Sequence, residues 1–253
     1  PLWQYLNVAA QAVVSADAVW QLPANEFKTD DNSSKMDLGS AHAYVARFQV
    51  QQAVSDVSSY ITIPSPHLDK VQLWYRPSGS TRWRALQAGD RIIQDEWPFV
   101  GPYPAFELPS QSSRVDVVMR FENSSPINLR VYAQSNKSFH SERNFYSNGT
   151  GAVLGLIASV ILICLLTLRL GRPDFLFLAL AGLASFLFYI ARSGVGFVTV
   201  WPTLPGFNDI SSGFFLLWTW VFLLMTVSYL APSFKGGNLL RLIFSAIAFV
   251  GAV

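Results

Sequence analysis

The chain has 253 residues and is poor in charge: Asp, Glu, Lys and Arg make up 13% of it. An ordinary soluble domain carries about 25%. The shortage excludes a disordered tail and a typical soluble enzyme. There is a single cysteine, Cys164, inside an apolar run, so no intrachain disulfide is available. The three histidines, His42, His67 and His140, lie 25 and 73 positions apart, which is not a metal-ligand spacing. No basic run exists and the net charge is only +2, so nucleic acid is excluded as a partner. No Gly-x-Ser-x-Gly elbow, phosphate-cradling Gly-rich loop or Gly-Gly-Asp/Glu-Glu-Phe signature occurs. No cofactor is expected.

Apolar residues reach 51%, and the charges that exist are unevenly placed. Residues 1–150 hold 13 of the 18 Lys and Arg and 14 of the 16 Asp and Glu. The chain is a polar half followed by a membrane half, with the lipid bilayer as one partner. A spanning helix needs about 20 mostly apolar residues. Val153–Leu168, extended by Gly151 and Ala152, meets that need. Phe175–Ile190 is a second span and Phe214–Leu230 a third. Leu239–Val253 begins a fourth that stops short, which reads as the front part of a longer chain. Arg169 and Arg172 follow span one, and Lys235 and Arg241 follow span three, while the loop 193–212 has no Lys or Arg. By the positive-inside rule the first and third loops are cytoplasmic and the N-terminal half lies outside. Trp201, Trp218 and Trp220 suit the outer interface. No Asp, Glu or Lys lies mid-span, which disfavours a proton relay or ion path.

The polar half alternates with period two. Tyr44, Ala46, Phe48 and Val50 alternate with Val45, Arg47 and Gln49. Val71, Leu73 and Tyr75 alternate with Lys70, Gln72 and Trp74. Val115–Phe121 and Ile127–Val131 follow the same rule, and turn signals such as Pro77-Ser78-Gly79-Ser80 and Ala88-Gly89-Asp90 separate the runs. The fold class is therefore an all-β jelly-roll or β-sandwich domain followed by a transmembrane helical bundle. The organisation is an N-terminal segment 1–27, a sandwich over 28–133, a polar linker over 134–150 and helices over 151–253. In the first segment Leu2, Leu6, Ala9 and Val13 fall near helical spacing. Ala10-Gln11-Ala12 and Ala16-Asp17-Ala18 look like signal-peptidase sites, without the charged and apolar regions that precede one.

Rings beside amides and carboxylates suit sugars, because a ring face covers the apolar C–H face of a pyranose. Trp74 lies on the strand face opposite Val71, Leu73 and Tyr75, and Trp83 stands between Arg82 and Arg84. Asp95, Glu96, Trp97 and Tyr103 form an acidic and aromatic loop with Pro98, Pro102 and Pro104. These six residues are the candidate ligand-binding set; the plain alternative for each is packing. Adjacent Asp95 and Glu96 point apart on an extended segment and make a poor hydrolytic pair. The Asn-x-Ser/Thr sites at Asn32, Asn123, Asn136 and Asn148 read as polar loops.

The order of these elements resembles the bacterial 7TMR-DISM receptors, which join seven transmembrane helices to diverse signalling modules. The soluble half is similar to their type 2 extracellular domain. The likeness rests on Tyr44-Val45-Ala46-Arg47-Phe48, His67-Leu68-Asp69-Lys70-Val71-Gln72-Leu73-Trp74-Tyr75, Trp83, Gly89-Asp90, Phe106-Glu107-Leu108, Val115–Arg120 and Asn123–Leu129. In the membrane half it rests on Gly151–Leu168, Arg172-Pro173-Asp174-Phe175-Leu176-Phe177, Gly194-Val195-Gly196-Phe197 and Val200-Trp201-Pro202. Tyr44 stands where the family has Trp. The resemblance implies a sensor in the bacterial inner membrane. Its periplasmic domain, similar to carbohydrate-binding jelly rolls, binds a small ligand such as a carbohydrate, and a cytoplasmic module gives the output. Diguanylate cyclase leads among those modules, and receptors of this kind commonly work as homodimers. The chain itself is expected to have no enzymatic activity. A stand-alone anchored binding subunit is the alternative.

Overall fold

The computed structural model describes residues 3–9, 15–30, 35–36, 42–52, 58–110, 114–124, 127–171 and 175–230. The fourth span 239–253, Lys235, Arg241, Arg172, Ala10-Gln11-Ala12 and Asn32 lie outside the described residues. The chain divides into two compact units: Pro1–Arg143 with Phe197–Pro205, and Asn144–Gly196 with Gly206–Val253.

The first unit holds the strands β1 (Trp3–Ala9), β2 (Lys28–Asp30), β3 (Lys35–Met36), β4 (His42–Gln51), β5 (Ser59–Thr62), β6 (Lys70–Pro77), β7 (Arg84–Ala88), β8 (Ala105–Leu108), β9 (Arg114–Glu122), β10 (Ile127–Asn128) and β11 (Tyr132–Ser135). They form a six-stranded sheet in the order β2-β1-β4-β9-β6-β7 and a three-stranded sheet β11-β5-β8; β3 and β10 make a short ribbon. All pairings are antiparallel. Three are nested, β4 with β9, β5 with β8 and β6 with β7, and the chain changes sheet between β4, β5 and β6 and again between β7, β8 and β9. Nested antiparallel pairs wrapped over two sheets are the jelly-roll form of the sandwich.

Alternation decides which face is core. Leu73, Met119 and Ala46 lie side by side on β6, β9 and β4, and all three are fully buried. Ile61 and Phe106, paired on the smaller sheet, are fully buried as well. Apolar groups removed from water on both inner faces drive the two sheets together, at about 25 cal/mol per Å². Tyr44 is 9% exposed and keeps an aromatic contact with Tyr5 at 5.7 Å, which retains a ring where the family has Trp.

The N-terminal segment departs from its helical reading. Residues Trp3–Ala9 are a strand, paired with β4 from Gln4↔Arg47 to Ala9↔His42. The edge of β4 satisfies this backbone and buries part of Leu6 and Val8, which a short isolated helix could not match. A six-residue helix, α1 (Ala16–Gln21), then lies on the outer face of the larger sheet. Its Ala16 and Val19 cover Val45 and Val118, so β4 and β9 are buried on both faces there.

The remaining helices are α2 (Asn136–Arg169), α3 (Phe175–Arg192), α4 (Val195–Thr199) and α5 (Pro205–Leu230). Of these, α2, α3 and α5 are long and apolar enough to cross a membrane. Residues 136–150, read as a linker, are the start of α2, and α5 begins at Pro205 rather than 214. Proline is favoured at a first helical position, where no N–H is needed. Within the second unit, α3 buries the small residues Ala179, Ala181 and Ala184, as close helix packing in a bilayer requires. An apolar groove of about 340 Å³ runs between α3 and α5, lined by residues that include Leu183, Leu187, Phe214 and Trp218.

Candidate functional site

Neighbouring strands put cross-paired residues on one face, so the outer face of the larger sheet can be read row by row. One row is Gln72, Arg120 and Val45 on β6, β9 and β4. The next is Trp74, Val118 and Arg47. The third is Arg76, Asp116 and Gln49. Trp74 therefore faces away from the core that holds Val71, Leu73 and Tyr75, as the alternation predicts.

Three half-buried tryptophans meet over this face: Trp20 at the end of α1, Trp74 on β6 and Trp83 just ahead of β7. Trp20 and Trp83 touch edge to face at 6.0 Å. The Arg76 guanidinium lies 4.3 Å over the Trp83 ring and 5.9 Å over that of Trp20. Arg76 is ion-paired to Asp17 at 3.4 Å and to Asp116 at 3.2 Å, and Trp83 Nε1 donates to Asp17 at 2.7 Å. Asp116 is 3% exposed, a cost that its donors offset: besides Arg76 Nε, it accepts from Gln49 Nε2 at 2.9 Å and Ser78 Oγ at 2.7 Å. Beside Trp74 the face turns polar, with Arg120 held by Gln72 at 3.4 Å and Glu122 at 2.7 Å.

Arg47 locks α1 over this surface. Its Nη1 donates to the carbonyls of Val19, Trp20 and Leu22 at 3.3, 2.9 and 2.5 Å, and its guanidinium lies 4.1 Å over the Phe27 ring. These are carbonyls at the helix C-terminus, where a cation is favoured. Burial lowers the Arg47 pKa from its ordinary value. That shift works against the charge, but it starts from a value so high that the group stays cationic.

Asp116→Asn keeps the shape of this hub and removes its charge. We expect it to cost about 1.5 kcal/mol, because a charge-assisted pair becomes a neutral one and a donor faces Arg76. A thermal melt lower by roughly 4 °C checks this; an unchanged melt would mean that Asp116 does not organise the cluster.

The six sequence candidates separate. Trp74 and Trp83 come together in this cluster. Asp95 and Glu96 are exposed on a short 3-10 turn, Gln94–Glu96. Trp97 and Tyr103 are each only 5% exposed and are not part of the tryptophan cluster. Trp97 Nε1 donates to the Ile92 carbonyl at 3.0 Å, and its ring meets Phe197 at 6.0 Å. Both rings are packed within the first unit. Trp201, assigned to a membrane interface from the sequence, is likewise 5% exposed in the first unit. Trp20, Asp17, Arg47 and Arg76 were not anticipated. The available signal was Ser15 just before Ala16 with Asp17 in the first turn, a helix-start pattern.

The arrangement can hold a flat apolar face on tryptophan and take hydroxyls on Gln, Arg and carboxylate groups. Its central carboxylate, Asp116, is buried and already accepts from three donors.

Comparison with known proteins adds two findings. The family described as 7TMR-DISM extracellular 2 matches residues 3–135. Among solved structures, TmCBM61 in complex with beta-1,4-galactotriose is similar over 51% of this chain and 87% of its own, at 9% identity and a TM-score of 0.26. At that score the likeness carries no inference. No curated protein matches the chain.

Proposed function

The chain belongs to the 7TMR-DISM extracellular 2 family, and from that premise we propose that it is the sensory and membrane portion of a receptor in the bacterial inner membrane. The family makes it a membrane protein with a sensory N-terminal domain outside, and three helices have the length and composition to anchor it. The finer reading is ours. The outer domain binds a small periplasmic carbohydrate on the face that carries Trp20, Trp74 and Trp83. The ligand shifts the populations of two arrangements of the domain, which it can do only by binding them unequally. The output is a cytoplasmic diguanylate cyclase, the working form is a homodimer, and the chain itself catalyses nothing.

One observation supports the ligand class. Three half-buried tryptophans share a face with Arg76, Gln72, Arg120 and Glu122. Rings beside amide and charged groups are what a pyranose surface needs.

The test is a thermal-shift panel of neutral and acidic oligosaccharides on the whole chain in lipid nanodiscs. A ligand at a hundred times its Kd stabilises by about 2.7 kcal/mol. Trp74→Ala should abolish that shift and leave the unliganded melt within a few degrees. A full shift in Trp74→Ala would reject the placement, and no shift with any sugar would reject the class.

A further inference from the structure

The proline-rich loop that carries Asp95, Glu96, Trp97 and Tyr103 makes contacts of its own. Residues 92–104 are braced from within. Trp97 Nε1 donates to Ile92 O, Trp97 N–H donates to Gln94 O at 3.1 Å, and Gln94 Nε2 donates to Gly101 O at 3.1 Å. Pro98, Pro102 and Pro104 fix φ at three of its positions. Its end is tied to the smaller sheet, where Ile63 N–H donates to Pro104 O at 3.0 Å.

This stiff loop grips two different segments of its own unit. On one side are residues 197–205, which run from within α4 to the first residue of α5. Phe197 is 2% exposed and meets Trp97, and Pro202 O accepts from Gln94 N–H at 3.3 Å. On the other side are the first two turns of α2. Phe139 is 1% exposed, stacks on Tyr60 of β5 at 4.2 Å and 11°, and meets Phe99 at 5.1 Å. Arg143 lies 4.7 Å over the Phe99 ring and donates to Val100 O at 3.2 Å. Trp97 and Phe99 are therefore two positions apart in one rigid loop, each holding a segment that continues into a spanning helix. One of these helices, α2, runs unbroken from Asn136 to Arg169.

We infer that residues 92–104 are the coupling lever of the receptor: one stiff loop that ties the start of α2 and the segment 197–205 to each other, so that neither moves without the other. The inference rests on the receptor reading for its purpose, but the lever itself is a property of the unliganded chain. Trp97 and Phe99 are positioning residues, not ligand contacts.

Hydrogen exchange on the intact chain in lipid nanodiscs, without ligand, tests it. Three variants are compared with the parent: Trp97→Ala, Phe99→Ala and Arg143→Ala. The last is a mild change outside the core, which guards against simple unfolding. Unchanged protection of β4 and β9 marks a folded domain. A lever predicts crossed effects. Trp97→Ala should speed exchange at least about threefold in 136–143 as well as in 197–205. Arg143→Ala should speed 197–205 as well as its own helix, as coupled networks do. Loosening confined to each residue's direct partner would overturn the lever and leave two independent packing contacts. If both alanine core variants unfold, Arg143→Ala alone decides between these outcomes. Because no sugar is used, failure here does not touch the carbohydrate reading, and failure of the sugar panel does not touch the lever.

Discussion

Arg47→Ala should lower stability by about 3 kcal/mol, one of the two largest single-site effects expected outside the inner core. Its guanidinium donates to three carbonyls at the end of α1 and covers the Phe27 ring. Hydrogen bonds to a charged group contribute about 1.5–3 kcal/mol each when counted alone. Three from one nitrogen share geometry, so their sum is smaller. The loss removes the side-chain donor from three C-terminal carbonyls and releases the six-residue α1, which is too short to stay helical unaided. Trp20 and Asp17 leave with it, so the tryptophan cluster and the Asp17 partner of Trp83 and Arg76 are lost together. Arg47→Lys should recover less than half of the effect, because an ammonium cannot present a planar fork over a ring. A melt that falls by roughly 10 °C, with loss of the near-ultraviolet tryptophan signal, is the expected result. An unchanged near-ultraviolet spectrum would show that α1 is held by something else.

The second large effect is at a turn. Gly89 adopts φ +138°, a conformation that side chains rarely take. A Cβ there would collide with the Asp69 carbonyl oxygen and stand 2.6 Å from Lys70 Cα. Both are backbone, so no rotamer change relieves the clash. The neighbouring bonds, Asp90 N–H to Leu68 O at 2.8 Å and Arg91 N–H to Asp69 O at 3.1 Å, would have to lengthen. Asp69 is itself ion-paired to Arg91 at 3.0 Å and accepts from Ser124 N–H at 2.9 Å, so the disturbance spreads to the end of β9. Gly89→Ala should cost about 4 kcal/mol, strain and overpacking together. Gly79→Ala is the control, since Gly79 also has positive φ, +90°, but nothing lies within 4 Å of its added Cβ. Limited proteolysis of the two variants side by side checks the difference. Equal resistance would mean that the backbone near Asp69 yields more easily than its bonding suggests.

Much of this architecture is legible in the sequence. Three spans were delimited by charge and proline to within a few residues at most ends, because the bilayer requirement is a matter of length and composition alone. The strands β4, β6 and β9 followed from alternation, because a sheet with one buried face imposes period two on each strand separately. The same rule puts Trp74 on the face opposite Val71, Leu73 and Tyr75, and the structure shows that this face is the outer one. The start of α2 was not legible. Residues 136–150 are polar, and their helix depends on Phe139 filling a slot beside Tyr60 and Phe99.

The two-part organisation, the spans, the main strands and the likeness to the family can all be read from the amino-acid sequence. These depend on local composition and on spacing within single segments. Which aromatic rings stay available depends instead on contacts between distant segments. Trp20, in the N-terminal segment 1–27, joins Trp74 and Trp83 because β1 pairs with β4 and carries α1 onto the sheet. Trp97, in a loop that reads as a binding loop, is buried because Phe197, far along the chain, packs against it. The physical reason is the same in both cases. A ring keeps or loses its exposed face according to what arrives from elsewhere in the chain, and no periodicity near the ring encodes that arrival.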